Sequence, residues 1–200
     1  MSLNIGIVNY GKAGNIFNII KAVNKAGGNA KVIEKEEDFK DVDKLVLPGV
    51  GSFKDTMEEI ESRNLKEVLQ TEIEKKDTLG ICLGMQILAT LGFEYGQTKG
   101  LDMFNAEVKK ILCEGRVPHM GFNSIKPVVN SSLLQGIEKE KFYFMHSYEV
   151  VNYTDVLALS EYENHTFVSA IAKDNIYGVQ FHPEKSRDAG IQLFQNFFKL

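Results

Sequence analysis

Hydrophobic positions in the first hundred residues form short continuous runs, and amphipathic segments separate these runs. The runs NIGIVNY (4–10), AKVIE (30–34), KLVLPG (44–49) and TLGI (78–81) predict buried strands. The segments between and after them predict helices over 16–26, 53–62, 65–75 and 85–91. Strands that are apolar throughout and alternate with helices indicate a parallel sheet that is covered on both faces.

The pattern changes after about residue 100, where short segments alternate between hydrophobic and polar positions. The segments AEVKKIL, NSIKPVV, KFYFMHSYEV, VLALSEY, FVSAIA and IYGVQF predict strands, and DAGIQLFQNFFKL predicts a closing helix. No linker or internal repeat divides the chain. We therefore expect one α/β domain over residues 1–200. It should contain a single doubly wound, mostly parallel mixed sheet of the flavodoxin-like type, with helices on both faces, and an antiparallel β extension.

Composition and charge exclude several classes of function. The net charge of −4 gives no basic surface for nucleic acid, and no run of apolar residues is long enough to cross a membrane. The first residues lack the pattern of a signal peptide, and the chain has only two cysteines, Cys82 and Cys113. We expect a reducing, cytoplasmic location. A metal site built from Cys113 and His119 lacks a second pair of ligands, so we expect no metal and no cofactor.

The stretch LGICLGMQ (79–86) places Cys82 between two glycines at the end of a predicted strand. G-x-C-x-G is the thiol counterpart of the nucleophile elbow, in which glycines allow a sharp, strained turn that exposes the side chain. A helix that begins there favours the thiolate through its dipole, and the Leu83 N–H falls where an oxyanion would form. The alternative is a small buried hydrophobic cysteine, which is the more common fate of a free thiol.

A thiolate nucleophile needs a base and a group that orients the base. Among the four histidines, His182 lies in GVQFHPEKS, where Pro183 favours an extended conformation. An extended chain would point His182 and Glu184 to the same side, so that the carboxylate could orient the imidazole. The alternative is a structural histidine beside a solvated glutamate.

A third segment, LPGVGSF (47–53), ends another predicted strand, and its glycines let backbone N–H groups approach a ligand. It lacks the third glycine of a dinucleotide-binding fingerprint. An ordinary strand-to-helix turn with Ser52 as N-cap explains the same residues.

These three segments, in this order, resemble the class I (triad) glutamine amidotransferases, whose pattern is PG-G, then G-x-C-x-G-x-Q, then H-P-E. Within that class the chain resembles the glutaminase subunits of imidazole glycerol phosphate synthase. The resemblance rests on GICLGMQ, VPHMGFN, FYFMHSYEV and FHPEKS, and it extends from Ile5 to the C-terminal helix.

The resemblance implies that Cys82 attacks the amide carbon of glutamine, that His182 transfers the proton to the departing ammonia, and that Glu184 orients the imidazole. It implies an oxyanion site at Leu83 N–H and around Val50. The residues that match glutamine-binding positions are Gly49, Gly51, Gln86, Glu94, Ser147 and Tyr148. The carboxylate of Glu94 suits the α-ammonium of the substrate, although without the resemblance Gln86 and Glu94 would be solvated helix-end residues.

The resemblance also implies a partner, a (β/α)₈-barrel synthase (cyclase) subunit that forms a heterodimer with the glutaminase and uses its ammonia. The products would be imidazole glycerol phosphate and an aminoimidazole carboxamide ribotide. The residues that match interface positions are Pro118, Met120, Phe122, Tyr143 and Lys185. As exposed loop and strand residues, they are not diagnostic by themselves.

Two departures from the family pattern lie in these partner-facing regions. Phe122 replaces the usual tryptophan, and NYGKAGN (9–15) has Asn9 for aspartate and one extra residue. A paralogous glutaminase that feeds another synthase, such as a sugar amidotransferase, is therefore the alternative. A binding module without activity would lose a triad member, and a stand-alone hydrolase would not need HMGFN or HSYE.

Overall fold

An eight-stranded, mostly parallel sheet runs through the computed structural model, which describes residues 3–11, 16–49 and 51–200. The strands of this sheet are β1 (Asn4–Val8), β2 (Asn29–Ile33), β3 (Lys44–Leu47), β4 (Thr78–Ile81), β9 (Lys126–Pro127), β12 (Val156–Tyr162), β13 (His165–Lys173) and β14 (Ile176–Val179). Their order is β2-β1-β3-β4-β14-β13-β12-β9. The first five are parallel neighbours, and β13, β12 and β9 continue the sheet antiparallel. The predicted mixed sheet is confirmed.

Helices cover both faces of this sheet. They are α1 (Phe17–Lys25), α2 (Phe53–Ser62), α3 (Lys66–Lys75), α4 (Leu83–Gln86) and α5 (Arg187–Phe198). The apolar sides of α1 and α5 bury Val23 and Phe194 against Ile7 of β1, whereas α2 and α3 pack in a second core around Leu45 of β3. No helix in the described ranges is both long and apolar enough to span a bilayer.

The remaining strands form two further sheets, in which one neighbouring pair is parallel and the others are antiparallel. Strands β8 (His119–Ser124) and β10 (Lys141–His146) form a two-stranded ribbon. The other sheet has the order β11-β7-β5-β6 and contains β5 (Ala89–Gly92), β6 (Thr98–Lys99), β7 (Phe104–Lys110) and β11 (Tyr148–Val151). The segment KFYFMHSYEV, predicted as one strand, therefore crosses from the ribbon to this sheet at Ser147, whose carbonyl accepts a hydrogen bond from Ile111 N at 2.9 Å.

The helix predicted over 85–91 is wrong, because α4 ends at Gln86 and the chain turns into β5. The carbonyl of Ile87 accepts a hydrogen bond from Leu101 N at 2.7 Å, and the carbonyl of Leu88 accepts one from Met103 N at 2.8 Å. These long-range bonds replace the helical bonds that the same carbonyls would accept. A short, mostly apolar segment such as MQILATL has no clear periodicity that distinguishes the two structures.

The three segments singled out in the sequence leave the sheet at one edge. Strands β3, β4 and β14 are adjacent and parallel, so that their carboxyl ends lie side by side. They lead to Gly49, Cys82 and His182 respectively. Ligands bind at such carboxyl ends in open α/β sheets.

Candidate active site

Cys82 occupies the sharp turn between β4 and α4 that the G-x-C-x-G pattern predicts, but the residue is buried, so the predicted exposure of its side chain is wrong. Its backbone has φ 51° and ψ −109°, a strained conformation for a residue with a side chain. Its N–H donates to Val179 O at 2.7 Å, which ties the turn to β14. The helix that follows has only four residues, so its dipole contributes less to the thiolate than the sequence suggested.

The glycines around Cys82 permit a close approach of backbone to backbone. A Cβ added at Gly84 would lie 2.0 Å from Leu47 O, and one added at Gly49 would lie 1.8 Å from Ile81 O. No side chain fits at either position. The loop that follows β3 therefore packs directly against the turn that carries the thiol.

A cavity of about 320 Å³ opens beside the sulfur. Its lining includes these predicted residues: Gly49, Gly51, Cys82, Leu83, Gln86, Glu94, Pro118, Ser147 and Tyr148. Val50 and residues 12–15 of the NYGKAGN segment lie outside the described residues. Met145 and His146 also line the cavity and were not predicted, although their position directly before Ser147 in the sequence could have indicated them.

His182 and Glu184 form a buried pair in which His182 Nδ1 lies 2.8 Å from Glu184 Oε1. His182 is extended as predicted, with φ −103° and ψ 95°, but the extension expected over Pro183 and Glu184 is wrong, because Pro183–Lys185 form a 3₁₀ turn and Pro183 occupies its first position. The turn brings the two side chains together instead. The buried hydroxyl of Ser186, which the sequence analysis missed, donates to His182 O at 2.6 Å and accepts from Tyr143 N at 2.9 Å, so it fixes this turn to β10.

The second imidazole nitrogen of His182, Nε2, is buried and makes no hydrogen bond. Burial lowers the pKa of His182, but the charge and short-range interactions with Cys82, together with the hydrogen bond and charge of Glu184, outweigh it and raise the pKa to about 10. The imidazole is therefore protonated at neutral pH and has one nitrogen available for proton transfer.

Two of the predicted glutamine-binding side chains already make contacts within the protein. Gln86 is buried, and its Nε2 donates to Tyr148 O at 2.9 Å and to Gln180 Oε1 at 3.0 Å. Glu94 is half-buried, and its Oε2 accepts from Phe53 N at 2.7 Å, at the start of α2. Burial raises the pKa of Glu94 despite this bond. Neither side chain is a solvated helix end.

The predicted interface residues lie together on and beside the β8–β10 ribbon. Phe122 and Tyr143 are cross-strand partners with ring centroids 5.6 Å apart, and Met120 is exposed on the same ribbon. Lys185 Nζ lies 5.6 Å from the Tyr143 ring. Arg187, which the sequence analysis did not single out, lies 5.0 Å from the Phe122 ring. Pro118 is at the base of the ribbon and reaches the cavity.

The alternative metal site gains no support from the geometry. His119 Nδ1 lies 3.1 Å from His146 Nε2, while Cys113 Sγ has its contact with Gly115 O at 3.8 Å. Within the three described ranges, no group of three or more His, Cys, Asp or Glu residues could hold a metal ion.

Comparison with known proteins first defines the class. Residues 7–200 match the family model of class-I glutamine amidotransferases. A solved glutamine amidotransferase superimposes with a TM-score of 0.77 at 17% identity, covering 98% of this chain and 99% of that one. The PurLQS structure from Thermotoga maritima superimposes with a TM-score of 0.75 at 16% identity, covering 100% of this chain and 99% of the matched chain. At these identities the superpositions establish the fold.

Relatives of closer sequence then define the family within that class. Imidazole glycerol phosphate synthase subunit HisH 1 of Campylobacter jejuni (strain RM1221) is 38% identical over 98% of this chain and 100% of its own length. Subunit HisH 2 of Methanococcus maripaludis is 42% identical over 98% of both chains. Subunit HisH 2 of Pseudomonas aeruginosa is 39% identical over 98% of this chain and 99% of its own. The chain belongs to the HisH family of class-I glutamine amidotransferases.

Proposed function

We propose that this chain is the glutaminase subunit of an imidazole glycerol phosphate synthase, and that Cys82, His182 and Glu184 hydrolyse glutamine to glutamate and ammonia. The observation that carries the proposal is the arrangement of these residues. The thiol stands at a strained turn beside a cavity, and the imidazole is held by a carboxylate on one nitrogen while its other nitrogen is without a hydrogen bond. Full-length relatives named as HisH subunits support the assignment to histidine biosynthesis.

The chemistry follows from the positions of these groups. The protonated His182 has already taken the thiol proton of Cys82 at Nε2, so the thiolate attacks the side-chain amide carbon of glutamine. The backbone N–H groups of Leu83, Gly49 and Gly51, all residues of the cavity lining, stabilise the oxyanion. His182 then gives its proton to the amide nitrogen, the C–N bond breaks, and ammonia leaves. Water, activated by the neutral imidazole, hydrolyses the γ-glutamyl thioester to glutamate and restores the thiol.

The cavity supplies the groups that orient glutamine. Glu94 uses Oε2 for the Phe53 N–H, and Oε1 serves the α-ammonium of the substrate. Ser147 and Tyr148, at the crossing from the ribbon to the second sheet, bound the opposite side. The volume of about 320 Å³ is suited to one amino acid.

The partner is a (β/α)₈-barrel synthase that forms a heterodimer with this chain. Ammonia released into water near neutral pH is protonated and loses its nucleophilicity, so an acceptor must cover the site. The ribbon presents Met120 and Phe122, with 58% and 43% of their surfaces exposed, beside the cationic side chains of Lys185 and Arg187. Exposed methionine, aromatic and arginine side chains are enriched in such interfaces. Both cysteines are free thiols, which suits the cytoplasm.

The experiment is to measure glutamate release by the purified chain alone, and then with a histidine-pathway synthase and its nucleotide substrate. We expect strong activation by the two together. A chain that stays inactive while Cys82 reacts with a glutamine-analogue label would be a glutaminase for another synthase, such as a sugar amidotransferase, which is the possibility that Phe122 raises. A chain whose Cys82 reacts with no such label would not be a glutaminase.

A further inference from the structure

The side chain of Gln180, two residues before His182, has no part in the mechanism above. It is fully buried at the end of β14, and its backbone N–H donates to Ser169 O at 2.9 Å. Its side-chain Nε2 lies 3.5 Å from Cys82 Sγ. An amide buried against the reacting sulfur calls for a functional explanation.

A chain of hydrogen bonds fixes which end of the Gln180 amide faces the sulfur. The carbonyl of Tyr148 can only accept, so the Gln86 amide must present its NH₂ group to it, at 2.9 Å. The same NH₂ group donates to Gln180 at 3.0 Å, and the atom that receives the bond must be Oε1. The NH₂ group of Gln180 is thereby directed at the sulfur.

An N–H donor directed at sulfur favours the thiolate over the thiol, because a hydrogen bond to a charged acceptor is stronger than one to a neutral acceptor. It also holds the sulfur in place after His182 has taken up the proton. We propose that Gln180 is a further catalytic residue, which donates a hydrogen bond to the Cys82 thiolate, and that Gln86 is a positioning residue that acts through it. The proposal rests on the proposed glutaminase function.

Other titratable groups face the same region and stay constant in the test. His182 interacts with the sulfur and is paired with Glu184, while His146, Glu94 and Tyr148 line the cavity. Substitutions at Gln180 leave all of these residues in place. A change in the pH at which Cys82 forms its thiolate is therefore due to the loss of the Gln180 side-chain amide.

The experiment measures the rate of alkylation of Cys82 by iodoacetamide as a function of pH, in the full-length chain. Peptide mass spectrometry follows Cys82 and Cys113 separately, so Cys113 is an internal control. The variants are Gln180→Met, of similar size without a donor, and Gln180→Glu, which keeps the acceptor for Gln86 and replaces the donor by an acceptor. Gln86→Met keeps the Gln180 amide but removes the bond that orients it, together with the bond from Gln86 to Tyr148 O. Gln192→Met, on α5, loses a comparable side-chain bond to Asn196 away from the cavity.

We expect the alkylation midpoint of Cys82 to move to higher pH by about one unit in Gln180→Met, a roughly tenfold loss of thiolate. We expect a larger shift in Gln180→Glu and a smaller one in Gln86→Met, with Cys113 and Gln192→Met unchanged. Glutamate release at neutral pH should fall in the same order.

Unchanged midpoints in both Gln180 variants would overturn the proposal, and an unchanged midpoint in Gln86→Met alone would overturn the role of Gln86. If Gln180→Met does not fold, the isosteric Gln180→Glu decides. A wild-type chain that shows these shifts but releases no glutamate with the synthase, and whose Cys82 reacts with no glutamine-analogue label, would refute the glutaminase function instead, so the two failures are distinguishable.

Discussion

His119 donates its Nδ1 proton to His146 Nε2 at 3.1 Å, and the direction of this bond follows from the backbone. His146 Nδ1 lies 3.0 Å from the carbonyl of Tyr148, which can only accept, so this nitrogen carries the proton and Nε2 is the acceptor. Both rings are buried, and burial lowers the pKa of His119 to about 4 and that of His146 to about 3. The pair is therefore neutral and supports the Tyr148 side of the cavity.

This pair makes the stability of the chain sensitive to mild acid. An unfolded histidine titrates near 6.5. As the pH falls below that value, the unfolded chain binds protons that the folded chain excludes until about pH 4. We expect the titration of each histidine to lower the free energy of unfolding by about 2 kcal/mol when the pH falls from 7 to 5. The phenylalanine of His119→Phe suits the surrounding rings of Phe144 and Tyr162. Between pH 7 and pH 5 the unfolding free energy of this variant, measured with urea, should fall by about 2 kcal/mol less than that of the wild type.

His182 does not mask this effect. Its pKa is raised in the folded chain, so the stability that it contributes is constant below about 6.5 and is lost only as the pH rises toward 10. Gln192→Ala, on α5 and away from this pair, keeps both buried histidines and should keep the wild-type pH difference. If His119→Phe also kept the wild-type difference in stability between pH 7 and pH 5, the neutral histidine pair would not be the source of the acid sensitivity.

Replacing the nucleophile separates glutamine hydrolysis from ammonia use. Cys82→Ala should reduce glutamate release at least about a thousandfold, because no other group at the turn can form the thioester. A complex with the synthase should still make product from added ammonium. Assays with glutamine and with ammonium salts test this, and loss of both activities would mean that Cys82 is structural.

Glu184 should act on His182 through the 2.8 Å contact between Oε1 and Nδ1. In Glu184→Gln the negative charge disappears, so the pKa of His182 should fall and the imidazolium should be a less stable intermediate. We expect turnover to drop about a hundredfold with the fold intact. The control is Glu161→Gln, which breaks the exposed ion pair with Lys126. Equal rates in the two variants would remove Glu184 from the catalytic group.

The local rules succeeded where one periodicity dominated. The strand over 78–81 and the helix over 53–62 have the predicted bounds, and Ser52 caps that helix by accepting from Asp55 N at 3.1 Å. They failed over 85–91, because the carbonyls of Ile87 and Leu88 accept hydrogen bonds from backbone N–H groups of residues 101–103 instead of from a helical turn. Long-range hydrogen bonds leave no local signature.

The candidate site likewise contains features that the local sequence predicts and features that depend on distant residues. The turn at Cys82 could be predicted because strained geometry requires glycines nearby in sequence. The role of Gln180 could not, since it depends on a partner as distant as Cys82. The pairing of His182 with Glu184 was expected for a reason that is only partly correct, because Pro183 leaves His182 extended but begins a 3₁₀ turn that carries Glu184 back to the imidazole.

Gly84 should tolerate no side chain. A Cβ there would lie 2.0 Å from Leu47 O, so Gly84→Ala must separate the turn from β3 or unfold the chain. We expect loss of glutaminase activity together with a lower melting temperature. Gly136→Ala is the matched control, since a Cβ at Gly136 meets nothing within 4 Å and its φ of +78° should cost only about 1 kcal/mol. Similar melting temperatures for the two variants would contradict the close approach.

Phe122 should contribute to binding of the synthase without affecting the isolated chain. It is 43% exposed, packs edge-on against Tyr143 and lies under Arg187, so it is a rigid aromatic group at the centre of the exposed ribbon. Such groups dominate binding energies, and Phe122→Ala should weaken the complex by about 2 kcal/mol, roughly a thirtyfold rise in Kd. Labelling of Cys82 by a glutamine analogue in the isolated chain should stay unchanged.

Leu112→Ala is the control for this variant, because Leu112 is more exposed, at 82%, and lies outside the ribbon. Titration of each variant against the synthase by calorimetry gives the comparison. Phe122→Trp, which restores the residue usual in the family, should bind at least as tightly as the wild type. Wild-type affinity in Phe122→Ala would show that the partner does not dock on the β8–β10 ribbon, because a docked partner would have to bury this ring.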